Sequence, residues 1–188
     1  MYIEERLLPL NPFSRPGKPL KPVRGVVLHW VGNPRTTAIF NRNYFASLKN
    51  QKTGATARYA SAHYVIGLDG EVVRCLPESE MAYHVGAERY TNLALEQFGA
   101  YPNNCTLGVE LCHRDWAGEF TAETLESCIE LVEDLLYRHG LTAEDLYRHF
   151  DVTGKDCPRY FVRHGDRWDA FRRDIDSAAA RVRAAMSK

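Results

Sequence analysis

The sequence predicts one α/β domain, a mixed central β-sheet with helices on both faces. Three observations carry that expectation. Residues 24–31 form a near-continuous apolar run, as a strand covered on both faces requires. Asp69-Gly70 separates two β-rich runs, a strong hairpin signal that supplies an antiparallel pair. Strand-like and helix-like stretches then alternate with no repeat, low-complexity tract or linker.

The elements follow in order. Five prolines from Pro9 to Pro22 keep the lead-in extended and loop-like, wrapped over the surface. The strand at 24–31 ends in the turn Gly32-Asn33-Pro34. Residues 37–49 read as a helix, with Ile39, Phe40, Tyr44, Phe45 and Leu48 at helical spacing. Residues 51–59 are a polar loop. Residues 62–66 and 71–76 are the two arms of the hairpin.

Residues 77–104 form a long, mostly irregular connection, the kind often reserved for function, with a short helix near 93–98. Residues 106–112 are another strand, with Glu110 in an apolar setting. Residues 120–139 are a helix capped by Thr121, with Leu125, Cys128, Ile129, Val132, Leu135 and Leu136 in one stripe and Gly140 beyond its end. Residues 146–150 suggest a last short strand. Residues 166–186 read as a closing helix with Asp166 as N-cap and Trp168, Phe171, Ile175, Ala179 and Val182 inward.

Bulk properties narrow the function. The chain has 188 residues, 45% hydrophobic and 26% charged, enough for one domain over residues 1–188 with its core at about 8–175. Lys+Arg and Asp+Glu are 24 each, which argues against a strongly basic nucleic-acid binder. No apolar run approaches the roughly 20 residues needed to span a bilayer, so no membrane insertion is expected. The acidic-first N-terminus is not a secretory signal peptide. Five cysteines without tight spacing read as free thiols, consistent with synthesis in a reducing cytoplasm. A monomer is expected.

The chemistry concentrates in residues 148–158, Arg-His-Phe-Asp-Val-Thr-Gly-Lys-Asp-Cys-Pro, which Gly154 and Pro158 mark as a loop. His149 and Cys157 offer a nitrogen and a sulfur, both good zinc ligands. His29, at the C-terminal end of a buried strand, would complete a His₂Cys set and leave the fourth tetrahedral position open, as catalytic zinc sites do. On residue types alone a buried thiol at Cys157 and a strand-capping His149 are equally good readings, and His29 taken singly reads better as a satisfied core histidine. Lys155 lies two residues before Cys157 and is either an oxyanion partner or a solvated surface lysine. Glu110 either pairs with a cation or carries a raised pKa suited to moving protons. His63 and Tyr64 point to opposite faces of their strand, so only one can face His29. His84, in a loop, is expected to be exposed and free to touch a ligand.

Five segments carry a resemblance. They are Gly25-Val26-Val27-Leu28-His29-Trp30, Ser61-Ala62-His63-Tyr64-Val65-Ile66, Ala82-Tyr83-His84-Val85-Gly86, Leu107-Gly108-Val109-Glu110-Leu111 and residues 148–158. In these the chain resembles the zinc-dependent N-acetylmuramoyl-L-alanine amidases of the type 2 family, relatives of phage lysozyme-amidases and peptidoglycan recognition proteins. The resemblance implies a zinc ion on His29, His149 and Cys157, Glu110 as general base and acid, and Lys155 steadying the oxyanion. It implies that Tyr64 lines the site and assists catalysis, and that His84 and Trp30 lie on the substrate groove. Tyr83 stands where many members have tryptophan. The implied partner is bacterial peptidoglycan, cut between N-acetylmuramic acid and L-alanine by a phage or prophage endolysin or autolysin. Two other readings stand beside it, a cytoplasmic muropeptide-recycling amidase and a recognition protein that binds without cutting. Non-cutting relatives typically lose the cysteine ligand, which Cys157 supplies here.

Overall fold

A computed structural model describes residues 1–186, and their side-chain surroundings through residue 177. Six strands form one sheet: β1 (Ile3–Glu5), β2 (Gly25–Trp30), β3 (Tyr64–Ile66), β4 (Val72–Arg74), β5 (Thr106–Leu111) and β6 (Leu146–Arg148). Their order is β1-β4-β3-β5-β2-β6. The β3–β4 hairpin is antiparallel and the other pairings are parallel, so the sheet is mixed. The turn between β3 and β4 falls at Asp69-Gly70, where Gly70 takes the positive φ that such a turn demands.

Six α-helices flank the sheet: α1 (Ala38–Ser47), α2 (Asn92–Phe98), α3 (Ala122–Arg138), α4 (His149–Thr153), α5 (Arg159–Arg163) and α6 (Gly165–Met186). Strand alternation divides the core between the two faces. Val26, Leu28, Tyr64, Ile66, Leu107, Val109 and Leu111 pack with Leu131 and Leu135 of α3 and with Phe171 and Ile175 of α6. On the other face, Val65 and Val73 meet Ala38 and Phe45 of α1. Val27 there joins Phe98 of α2 and Val152 of α4. Trp168, Phe171 and Ile175 are inward as the sequence predicts. The expected inward positions Ala179 and Val182 lie outside the described side chains.

Three expectations need correction. The N-terminal lead-in is not only a surface wrap, because Ile3–Glu5 pairs with Val72–Arg74 and closes one sheet edge. Three residues are too few to register a strand period. The apolar stripe expected on α1 is also misphased. Phe45 and Leu48 are buried, but Ile39, Phe40 and Tyr44 are exposed. Polar anchors set the rotation instead: the Ala38 N–H donates to the Glu71 carboxylate, and the Asn41 amide donates to Thr36 Oγ1 and the Thr37 carbonyl. Finally, β6 stops at Arg148 and residues 149–153 turn into α4, so the 148–158 stretch is a helical turn followed by a return rather than a plain loop.

Candidate metal centre and active site

Parallel register puts the chemistry on one face. His29 of β2 lies beside Glu110 of β5, with both side chains on the face opposite Leu28 and Val109. Leu28 also pairs with Arg148, the last residue of β6, which places His149, the first residue of α4, against His29. Asp151 holds that corner by accepting from the Arg148 backbone N–H and its guanidinium, while the same guanidinium donates to the Phe161 carbonyl. Gly154 ends α4 in the left-handed region at φ 79°, and the Phe150 N–H donates to the Cys157 carbonyl, which folds the return back beneath His149. Asp156 pairs with Arg159 and Arg163.

The three expected ligands converge. His29 Nδ1 lies 2.9 Å from His149 Nδ1 and 3.9 Å from Cys157 Sγ. One donor atom from each side chain lies within 4.8 Å of the others. All three residues are buried. Burial, with neighbouring positive charge from Lys155, holds both imidazoles below their usual range, His149 to about 3. Two neutral ring nitrogens are what a cation requires. Burial also pushes the Cys157 thiol up to about 12, so only a strong local cation would ionise it. Two imidazoles and a sulfur at this spacing therefore fit a borderline-soft divalent metal, with the cavity side left open.

That cavity measures about 220 Å³. Glu110, Lys155, Tyr59, Tyr83 and His84 line it. The Glu110 Oε2 is buried with no hydrogen-bond partner. Burial raises this carboxyl to about 8, with Lys155 pulling the opposite way. Lys155 itself is exposed at the cavity rim. A carboxyl beside the candidate ligand cluster and an ammonium at the mouth can take up a proton and meet developing negative charge.

The remaining expected site residues fare differently. Tyr64 does not reach the cavity. It points to the α3 face, in the core, and its hydroxyl donates to Glu78. His63 takes the cavity-side face instead, donating from Nε2 to the Glu80 carbonyl and accepting the Gly108 N–H at Nδ1. Trp30 borders the cavity, but its indole packs 4.4 Å from the His113 ring and beneath the Arg159 guanidinium at 4.6 Å. His84 is buried rather than exposed. Its Nδ1 lies 3.0 Å from His29 Nε2, and its Nε2 lies 3.2 Å from the Thr106 carbonyl and 3.1 Å from Thr106 Oγ1. Tyr59, read from sequence as part of a polar loop, packs between Phe13 and Tyr83 at the cavity wall, tilted to the first ring and edge-on to the second. Its aromatic ring in an otherwise polar segment was the available signal. Thr106 carried none.

A family model described as N-acetylmuramoyl-L-alanine amidase matches residues 19–160. A probable N-acetylmuramoyl-L-alanine amidase of Bacillus licheniformis is 37% identical over 179 residues, covering 95% of this chain and 48% of that protein. A second protein of that organism, the N-acetylmuramoyl-L-alanine amidase CwlL, is 33% identical over 177 residues, covering 93% and 47%. The solved catalytic domain of XlyA superposes with a TM-score of 0.68 at 21% identity, covering 93% of this chain and 99% of that one, a likeness of fold. The chain spans about half the length of the curated relatives it matches. Among the described residues, no helix is long and apolar enough to cross a membrane.

Proposed function

The chain belongs to the N-acetylmuramoyl-L-alanine amidase family, and from that premise we propose that it hydrolyses the amide between N-acetylmuramic acid and L-alanine in peptidoglycan, as an endolysin or autolysin acting on the cell wall. The observation that supports this most directly is the buried His29, His149 and Cys157 cluster beside the unpartnered Glu110 carboxylate. The ion we assign there is zinc, since a His₂Cys set with one side open matches its ligand preference. Zinc in that position supplies Lewis acidity and lowers the pKa of water to about 7.

The residues divide the remaining work. Glu110 takes the proton of the attacking water and returns it to the departing L-alanine nitrogen. A carboxyl held at about 8 accepts and releases a proton near neutrality. Lys155, at the rim, meets the negative charge that develops on the carbonyl oxygen. Tyr59 and Tyr83 offer aromatic faces along the wall where substrate enters. Tyr64 has no part, because it faces the opposite side of the sheet. The products are a glycan strand and a free stem peptide.

The test is incubation with purified cell walls, with and without a chelator, followed by mass spectrometry. Stem peptides with a free L-alanine amine are expected only in the chelator-free sample. Wall binding without released peptide would favour a non-cutting recognition protein. Cleavage of soluble muropeptides but not of walls would favour a recycling enzyme.

A further inference from the structure

The hydrogen bonds behind His29 run in one direction only. The Thr106 hydroxyl commits its proton to the Pro102 carbonyl at 2.9 Å. Both Thr106 oxygens facing His84 Nε2 can then only accept, so His84 Nε2 must carry a proton. A buried neutral imidazole has one N–H, which leaves His84 Nδ1 as a bare acceptor. Its neighbour at 3.0 Å is His29 Nε2, so that atom must donate. With Nε2 protonated, His29 exposes a lone pair at Nδ1, the atom that faces His149 and Cys157.

The backbone is shaped to keep this ring in place. The His84 and Val85 N–H groups both donate to Asn103 Oδ1, at 3.1 and 2.9 Å. Gly108 leaves the space that the ring occupies, since a Cβ there would fall 2.5 Å from His84 Cγ. His63 Nδ1 holds the Gly108 N–H at 3.0 Å. These contacts fix the ring's position without adding another partner to His84 Nδ1.

We propose that His84 is a positioning residue: through Thr106 it fixes the tautomer of His29, so that His29 presents a bare Nδ1 to the metal. This rests on the reading of His29, His149 and Cys157 as a metal centre. It assigns His84 to the metal's support rather than to the substrate groove. Ligands of bound metals commonly depend on such partners, and losing one typically costs 10–100-fold in affinity.

Two variants and one measurement on the unaltered protein test it. His84→Leu removes the acceptor; His84→Asn keeps an oxygen close to the Nδ1 position. Zinc affinity is read by competition with a chromophoric chelator, with folding checked by thermal melting. His84→Leu is expected to bind zinc roughly 10–100-fold more weakly, and His84→Asn within about threefold of the parent. Nitrogen-15 NMR of the zinc-free parent should show His29 protonated at Nε2 and bare at Nδ1. A folded His84→Leu variant with parental zinc affinity overturns the proposal, as does equal loss in both variants. A parent His29 protonated at Nδ1 overturns it even if neither variant folds. Failure of the parent to bind zinc, with the Nε2–H tautomer intact, would refute the metal-centre reading and leave the relay standing.

Discussion

Replacing Glu110 with glutamine separates what this side chain costs the fold from what it does for catalysis. The carboxyl sits at about 8 instead of 4.5, because burial disfavours its charge more than Lys155 favours it. An acid with a raised folded value keeps its proton in the native state after the unfolded chain has lost it. Stability therefore falls as pH rises from 4.5 to about 8, and the loss is complete above that. At about 1.4 kcal/mol per pKa unit, the full displacement corresponds to about 5 kcal/mol. Relaxation and water entry from the cavity bring this to about 2–4 kcal/mol. Glutamine keeps the shape and discards the charge. Zinc-free Glu110→Gln should thus melt roughly 5–15 °C above the parent at about pH 9, with no gain at about pH 4. Wall hydrolysis should fall by roughly 10²–10⁴ while zinc content stays level. Differential scanning calorimetry of both chelated proteins at the two pH values gives the first result, and released stem peptide gives the second. An equal melting gain at both pH values would refute the buried-charge argument. Activity within tenfold of the parent would refute the catalytic role.

His29→Ala removes a donor atom from the cluster and Cys157→Ser exchanges the sulfur for a poorly ionising hydroxyl, so zinc measured by mass spectrometry should drop below stoichiometry and activity should vanish. Retained zinc in either variant would sink that ligand's assignment. Burial alone would raise the Glu78 carboxyl, but hydrogen bonds from Arg138, Tyr64 and His139 hold it at about 2. Its contribution is present above 4.5 and lost as pH falls toward about 2. Glu78→Gln should therefore cost about 2–3 kcal/mol at neutral pH and flatten the denaturation midpoint across that acid window. Gly67→Ala would drive a Cβ into the Glu71 carboxylate, displacing the group that accepts the Ala38 and Asp69 N–H groups. Urea unfolding should show a loss of about 1–3 kcal/mol, and an unchanged midpoint would mean the carboxylate moves aside freely.

The fold was legible wherever local chemistry and tertiary demand agreed. Asp69-Gly70 marked its hairpin because the turn itself needs those residues. Thr121 marked the start of α3 because its hydroxyl accepts the Thr124 N–H. The failures share a cause: a distant partner decided the outcome. Glu71 and Asn41 rotated α1 so that Phe40 and Tyr44 face solvent, against the stripe their spacing suggests. β1 exists because β4 offers it a free edge, and nothing within its three residues announces that.

The same division runs through the site. His29 and Glu110 stood out because each is an expensive group in an apolar run, and His149 and Cys157 because one short loop offers both a nitrogen and a sulfur suited to zinc. Their mutual arrangement was not readable, because it depends on the β2–β5 register that sets His29 beside Glu110 and on the β2–β6 pairing that brings up His149. Strand parity showed that either His63 or Tyr64 faces His29, and that choice also required the register. Tyr64 takes the side away from His29, where its hydroxyl supports the Glu78 network beneath α3. His84 is the sharpest case. As a loop histidine it suggested ligand contact, yet the Asn103 amide oxygen, the missing Gly108 side chain and the committed Thr106 hydroxyl together draw it inside. None of those three residues is chemically notable in sequence. Together they decide which way round His29 holds its proton.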